Sequence, residues 1–253
     1  MKQNKKKIEK LFALIREAKY MAALTGAGVS TLSGIRDFRG KNGLYNDMDA
    51  EKIFSFDYFE RDPSFYYNNA GFIYNIDKAE PSIVHLVLGE LEKAGYLKAL
   101  ITQNIDLLHQ KGGSNNVIEV HGSPSFHYCL RCAGIRVSFE EAAASVKEGK
   151  IPKCPECDRA VKPAITFFGE SLPADALRRA VSEAQKADLM LVLGTSLTVH
   201  PAASMPEYTL RADGKIVIVN NMPTPLDNRA ALCFDDLGSV FEDLAKLMKD
   251  TAP

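Results

Sequence analysis

"GAGVSTLSGIRDFRG", residues 26–40, follows the apolar run "YMAAL" of residues 20–24 after a single threonine. A glycine-rich turn at the end of a first strand presents unpaired N–H groups, and such groups hold phosphates. The dinucleotide-binding pattern G-x-G-x-x-G asks for a third glycine where this chain has Thr31, so Gly26 and Gly28 alone also fit a plain turn. Ser30 and Thr31 add hydroxyls. The continuation "SGIRDFRG" prolongs the loop with a charged and aromatic cluster, which suits a segment that folds over a ligand.

Outward from this turn, two kinds of apolar pattern alternate. Ile8, Leu11, Phe12 and Ile15 have the i, i+3, i+4, i+7 spacing of an amphipathic helix, and Val84, Val87, Leu88 and Leu91 repeat it. Further stripes are Leu177, Ala180, Val181 and Ala184, then Val240, Phe241, Leu244, Leu247 and Met248. Among them lie "LKALIT", "NVIEV", "LMLVLG" and "KIVIVN", short runs bounded by Gly, Asn or charged residues, as strands buried on both faces are. This alternation predicts an α/β fold on a doubly wound parallel sheet, with its ligand crevice beyond the carboxyl ends of the strands. Two segments interrupt it. Nine of the chain's 13 Phe and 9 Tyr residues fall between Phe54 and Tyr74, and a cysteine-bearing stretch runs from about Ser125 to Lys162. Together they predict a smaller lobe inserted in the sheet domain.

Across 253 residues, 31 Lys and Arg balance 32 Asp and Glu, a net charge of -1, so no global field draws the chain to nucleic acid or an anionic bilayer. The basic start "MKQNKKKIEK" leads into no apolar signal core, and no apolar run approaches the roughly 18 residues that span a membrane. A cytoplasmic protein with neither membrane nor direct nucleic-acid partners is expected.

The most specific constellation is cysteine. Cys129-x-x-Cys132 and Cys154-x-x-Cys157 have 21 residues between them, and two such knuckles close a tetrahedral thiolate site for one structural zinc. Redox-active pairs or unliganded thiols are the alternative. Four thiolates leave no open position for water, so the metal is a staple rather than a catalyst. Cys233 reads as a buried apolar residue. Strand ends supply further polar groups. "ITQNID" ends a predicted strand with Gln103, Asn104 and Asp106, suited to a carboxamide or ribose hydroxyls, and "VHG" ends the next with His121. The ordinary pKa of histidine, about 6.5, suits a general base, although a lone histidine is also compatible with a satisfied core position. His85, His109, His127 and His200 lack that setting and keep the structural reading.

These segments resemble the sirtuins, NAD-dependent protein deacylases, and look closest to bacterial and archaeal members of the single-domain type. The resemblance rests on the opening stretch, "TQNIDLLHQKGG", "EVHG", the two C-x-x-C pairs, "FFGE" (residues 167–170), "GTSLTVHPA" (194–202) and "VN" (219–220), in family order. It implies a Rossmann-type domain over about 1–40, 82–122 and 163–253, and a small lobe, helical over about 41–81 and a zinc ribbon over about 123–162. It further implies that NAD is held by Ala27, Ser30, Thr31, Phe38, Arg39, Gln103, Asn104, Ile105, Asp106 and His121, with Thr195, Ser196 and Asn220 on the adenosine half and Leu237 as a further member. His121 and Asn104 carry the catalysis, and acetyl-lysine proteins bind as an added strand between "FFGE" and the residues around Thr198 and Val199. The acyl group passes to ADP-ribose and nicotinamide is released. A protein ADP-ribosyltransferase or NAD hydrolase using the same site is the alternative; a nicotinamide dehydrogenase and a zinc-ribbon nucleic-acid binder are weaker.

Two departures and one composition bear on specificity. Arg36 stands where the family usually has proline; the expectation is that it points to solvent. Sirtuins that prefer acidic acyl groups carry a Tyr and, three residues on, an Arg, whereas Asn69 follows Tyr66 here, which favours neutral acyl groups. The aromatic concentration around residues 54–74 reads mainly as a core for the helical insert, with a share in the acyl channel.

Overall fold

The computed structural model describes residues 2–37, 43–46, 49–71 and 73–250. In chain order the elements are α1 (Lys2–Glu17), β1 (Met21–Thr25), α2 (Ala50–Ile53), α3 (Phe56–Arg61), α4 (Pro63–Asn69), α5 (Ile83–Lys93), β2 (Leu97–Thr102), α6 (Leu108–Lys111), β3 (Val117–Glu119), β4 (Gly122–Tyr128), β5 (Arg136–Ser138), α7 (Phe139–Lys147), β6 (Lys162–Ile165), α8 (Ala174–Lys186), β7 (Leu189–Leu193), α9 (Met205–Arg211), β8 (Lys215–Val219), β9 (Leu232–Phe234) and α10 (Leu237–Asp250). Five of the strands, β1, β2, β3, β7 and β8, are the apolar runs read from the sequence, and the four predicted helical stripes became α1, α5, α8 and α10. The three-residue β9 and the short α9 had no such pattern.

A six-stranded sheet takes the order β3-β2-β1-β7-β8-β9 with every pairing parallel. Numbered within the sheet, this is 3-2-1-4-5-6, the dinucleotide-binding order, and it reverses between β1 and β7. Side chains alternate faces along each strand. Met21, Ala23, Leu191, Val217 and Val219 therefore pack with α1, α5 and α10, while Ala22, Leu24, Met190, Ile216 and Ile218 pack with α8 and α9. With helices on both faces, the central strands contain almost no polar position, which is why they read as continuous apolar runs.

A second assembly lies beside the sheet. Its core joins Phe54, Phe59, Tyr66, Tyr67 and Tyr74 to Ala142 and Ala143 of α7 and to Ile165 and Phe167. The short helices owe their starts to caps: Ser55 accepts from Tyr58 N at 3.3 Å, and Asp62 accepts from Ser64 N at 3.1 Å with Pro63 in the first turn. Helix α7 begins with a reciprocal pair, Ser138 Oγ accepting from Glu141 N at 3.2 Å and Glu141 Oε2 from Ser138 N at 2.9 Å. Strands β5, β4 and β6 form an antiparallel sheet in that order, next to a small cluster of Cys129, Cys154 and Val161. The expected boundary at 162/163 falls within β6. Cys233 is half-buried in β9, its Sγ donating to Asp227 O at 3.5 Å.

Three histidines are buried and neutral. Burial lowers the pKa of His85 from 6.5 to about 4 and that of His127 to about 4, and holds that of His109 well below 6.5. Unfolding restores ordinary values, so below pH 6.5 the unfolded chain binds more protons than the folded one, and stability falls until about pH 4. Chemical denaturation between pH 7 and 4.5 is expected to show this decline; a flat profile would count against neutral burial.

Candidate functional site

At the switch point the chain leaves β1 into Gly26 and β7 into Gly194, and the two loops press together. Gly26 N donates to Leu193 O at 3.0 Å, Gly28 N to Gly194 O at 2.9 Å, and Val29 N to Gly26 O at 3.2 Å. A Cβ on Gly28 would lie 2.7 Å from Gly194 Cα, and one on Gly194, whose φ is +59°, only 2.6 Å from Val29 N. These glycines are thus required by close backbone approach. The sequence expectation of unpaired N–H groups fails for Gly26, Gly28 and Val29, which are bonded within the two loops. Ala27–Ser33 continues as a 3-10 turn.

Beyond these strand ends lie two joined depressions. A crevice of about 120 Å³ is lined by Ala27, Thr195, Ser196 and Asn220. A cleft of about 710 Å³ extends from it toward the second assembly and is walled by Ser30, Ile105, Asp106, Ile165 and residues 167–170. Gln103, Asn104, His121 and Val199 border both. The sequence-predicted residues beyond the ends of β1, β2, β3, β7 and β8 thus come together here. Thr31 does not line either depression; its Oγ1 donates to Gly28 O at 2.9 Å. Leu237 opens α10 and packs against the apolar cluster on that face of the sheet. Phe38 and Arg39 lie outside the described residues. Arg36 is exposed, as expected, yet it also lines the cleft, and its guanidinium donates to Gly43 O at 3.1 Å.

A hydrogen-bond net fixes the polar groups. Ser30 Oγ donates to Asp106 Oδ2 at 2.6 Å, and the other carboxylate oxygen accepts from Leu108 N at 3.0 Å. Asn104 Nδ2 donates to Gly26 O at 3.1 Å and to Ser30 Oγ at 3.2 Å. Because Gly26 O only accepts, the amide orientation is determined, and Asn104 Oδ1 is left as an acceptor. Gln103 Nε2 donates to Thr195 Oγ1 at 3.0 Å, tying the ends of β2 and β7. His121 Nδ1 lies 2.9 Å from Gln103 O, a carbonyl that only accepts, so the ring proton sits on Nδ1 and Nε2 carries the lone pair. Burial lowers the His121 pKa below 6.5, opposed in part by that bond, so the base form prevails at neutral pH.

This cleft fits a dinucleotide by donor chemistry: hydroxyls, amides and a carboxylate at parallel strand ends, around a base whose tautomer is set. The sulfur cluster fits a metal as well. Sγ atoms of Cys129, Cys132, Cys154 and Cys157 all lie within 4.8 Å of one another, Cys129 and Cys157 at 3.6 Å, where tetrahedral Zn–S bonds imply about 3.8 Å. Arg131 N and Cys132 N both donate to Cys129 Sγ, at 3.4 and 3.3 Å, the pattern of a knuckle. None of the five cysteines is in a disulfide. Sequence reasoning missed the wall supplied by Ile165 and Thr166, since "KPAI", broken by Pro163, lacks strand alternation. Of the aromatic stretch, Phe54 lines the cleft, while Phe59, Tyr66, Tyr67 and Tyr74 belong to the core.

The model of the Sir2 family matches residues 26–201. The NAD-dependent protein deacetylase of Thermotoga maritima is 43% identical over 230 residues, which are 90% of this chain and 93% of that protein. NAD-dependent protein deacylase 1 of Archaeoglobus fulgidus is 43% identical over 219 residues, 86% of this chain and 88% of that protein. A solved Sir2 structure with a p53 peptide and NAD+ superposes with a TM-score of 0.87 at 40% identity, covering 96% of this chain and 98% of its own.

Proposed function

The chain belongs to the Sir2 family, and from that premise we propose that it is an NAD-dependent protein lysine deacetylase that transfers the acetyl group to ADP-ribose and releases nicotinamide. One observation carries the reading: His121 borders both depressions with its Nδ1 proton fixed on Gln103 O, leaving Nε2 as an available base. NAD supplies a ribose whose bond to nicotinamide breaks and which then accepts the acyl group. Thr195, Ser196 and Asn220 hold its adenosine half; Ala27, Ser30, Gln103, Asn104, Ile105 and Asp106 hold the other, with Phe38 and Arg39 as further members, whereas Thr31 and Leu237 line neither depression. Asn104 Oδ1 orients a ribose hydroxyl, and His121 Nε2 takes a proton from one. The apolar wall of Phe54, Ile165 and Phe167 excludes water, which disfavours hydrolysis to free ADP-ribose.

Acetyl-lysine peptides bind as an added strand between residues 167–170 and the residues around Thr198 and Val199, so that backbone pairing provides much of the affinity. Neutral acyl groups are preferred, because Tyr66 is buried in the aromatic core and Asn69 Nδ2 donates to Phe65 O. One zinc at the four cysteines is structural. The division into a sheet domain (1–40, 82–122, 163–253) and a small lobe (41–81, 123–162) is supported by the separate apolar clusters. Among the described residues no helix is long and apolar enough to cross a membrane; a cytoplasmic location is part of the proposal. Incubation with an acetyl-lysine peptide, with and without NAD, tests the activity by mass spectrometry. NAD-dependent loss of acetyl from the peptide is expected; ADP-ribose attached to protein, with the peptide still acetylated, would favour the transferase instead.

A further inference from the structure

Lys162, the first residue of β6, is fully buried, yet nothing in the reaction above uses it. All three of its ammonium donors are matched: Glu170 Oε2 at 2.8 Å, Ile165 O at 2.7 Å and Pro163 O at 3.3 Å. The Phe167 ring lies beneath the charge, 4.0 Å from Nζ to its centroid, a cation–π contact in a desolvated setting. Glu170 Oε2 also accepts from Phe167 N at 2.7 Å. One ion pair therefore closes residues 162–170 into a loop with fixed ends. That loop bears directly on the site. Thr166 N donates to His121 O at 2.8 Å, and Phe168 exchanges backbone bonds with the other side, its N donating to Phe54 O at 2.7 Å and its O accepting from Phe56 N at 3.0 Å.

A buried ion pair is a costly way to obtain stability, since desolvation offsets most of the attraction and an apolar pair of similar volume would hold as well. Its geometric content is what an apolar pair lacks: three directed bonds that set the carbonyls of Pro163 and Ile165 and the turn at residues 167–170. We propose that Lys162 and Glu170 are positioning residues for the substrate-peptide edge of the cleft, holding the turn at residues 167–170 so that the peptide strand meets Gly169, since Phe167 and Phe168 spend their backbone groups on Glu170, Phe54 and Phe56. Their main effect falls on peptide binding, because the pair fixes the turn at residues 167–170 directly and touches the NAD site only through the backbone bond of Thr166 to His121, not at the ends of β1 and β7. The proposal rests on the deacetylase reading, which wild-type turnover measured alongside tests separately.

Steady-state kinetics on Lys162→Met, Glu170→Gln and Lys162→Arg, with peptide and NAD varied in turn, tests it. Glu170→Gln keeps an acceptor for Phe167 N and lies on the less buried side of the pair, so it provides a folded variant if Lys162→Met fails to fold. The expected result is a peptide KM raised about tenfold or more in Glu170→Gln, the loss of one charge-assisted bond. The NAD KM stays within about twofold, and Lys162→Arg, which keeps the charge, recovers most of the peptide affinity. A peptide KM unchanged while the melting temperature drops would make the pair merely structural and overturn the proposal. Parallel rises in both KM values, or no recovery with arginine, would overturn it equally.

Discussion

Replacing His121 by alanine is expected to lower kcat for NAD-dependent deacetylation by about 10²–10⁴-fold, the usual contribution of a general base, with the fold intact. The side chain is half-buried and makes one hydrogen bond, from Nδ1 to Gln103 O, so its removal leaves no charged group stranded. Circular dichroism and the melting temperature therefore separate lost chemistry from lost structure. The same geometry fixes a pH dependence. The reaction needs the neutral ring, and burial lowers its pKa, so kcat/KM holds on the acidic side until pH falls below 6.5 and then declines as Nε2 is protonated. An acidic inflection above 6.5 in kcat/KM would mean that a group other than His121 limits the rate.

Removal of the metal has the second large effect. The two cysteine-bearing ends of the segment between β4 and β6 have little else to hold them: their cluster of buried apolar residues is Cys129, Cys154 and Val161, whereas α7 between them is anchored in the aromatic core through Ala142 and Ala143. Structural zinc in small thiolate sites contributes about 10–16 kcal/mol of binding free energy that is also folding free energy. Cys154→Ala, or chelation of the wild type, is expected to abolish stoichiometric zinc and to release amide-exchange protection over residues 129–136 and 152–161, while α7, packed in the aromatic core, keeps more of its protection. Amides of β1, β7 and β8, buried between two helical layers, stay protected. Activity falls too, because β6 lines the cleft through Ile165 and pairs there with Gly122, the residue after His121. Unchanged protection in metal-free protein would contradict the structural role.

The parts of this architecture that repeat a simple physical pattern were legible in the sequence. "LMLVL" and "KIVIV" are strands because both faces are covered, and Gln103, Asn104, His121 and Thr195 could be picked out because polar residues at the ends of such strands meet in one crevice. Cysteine spacing gave the metal site. What the sequence hid depends on long-range contacts. Gly28 is needed not for a free N–H but because Gly194, far along the chain, lies against it. Thr31 has a hydroxyl suited to a phosphate and uses it within its own turn. Lys162 carries a charge, and composition places charges on the surface; only its three acceptors, brought together by β6 and the turn after it, make burial tolerable. Strand order came from family resemblance rather than periodicity, since parallel pairing leaves no mark on a strand's own residues.

The transfer step itself is open to one direct measurement. With a peptide carrying isotopically labelled acetyl on lysine, the label should appear on ADP-ribose in one-to-one proportion with nicotinamide released. Label recovered as free acetate from the outset, without matching nicotinamide, would contradict the account.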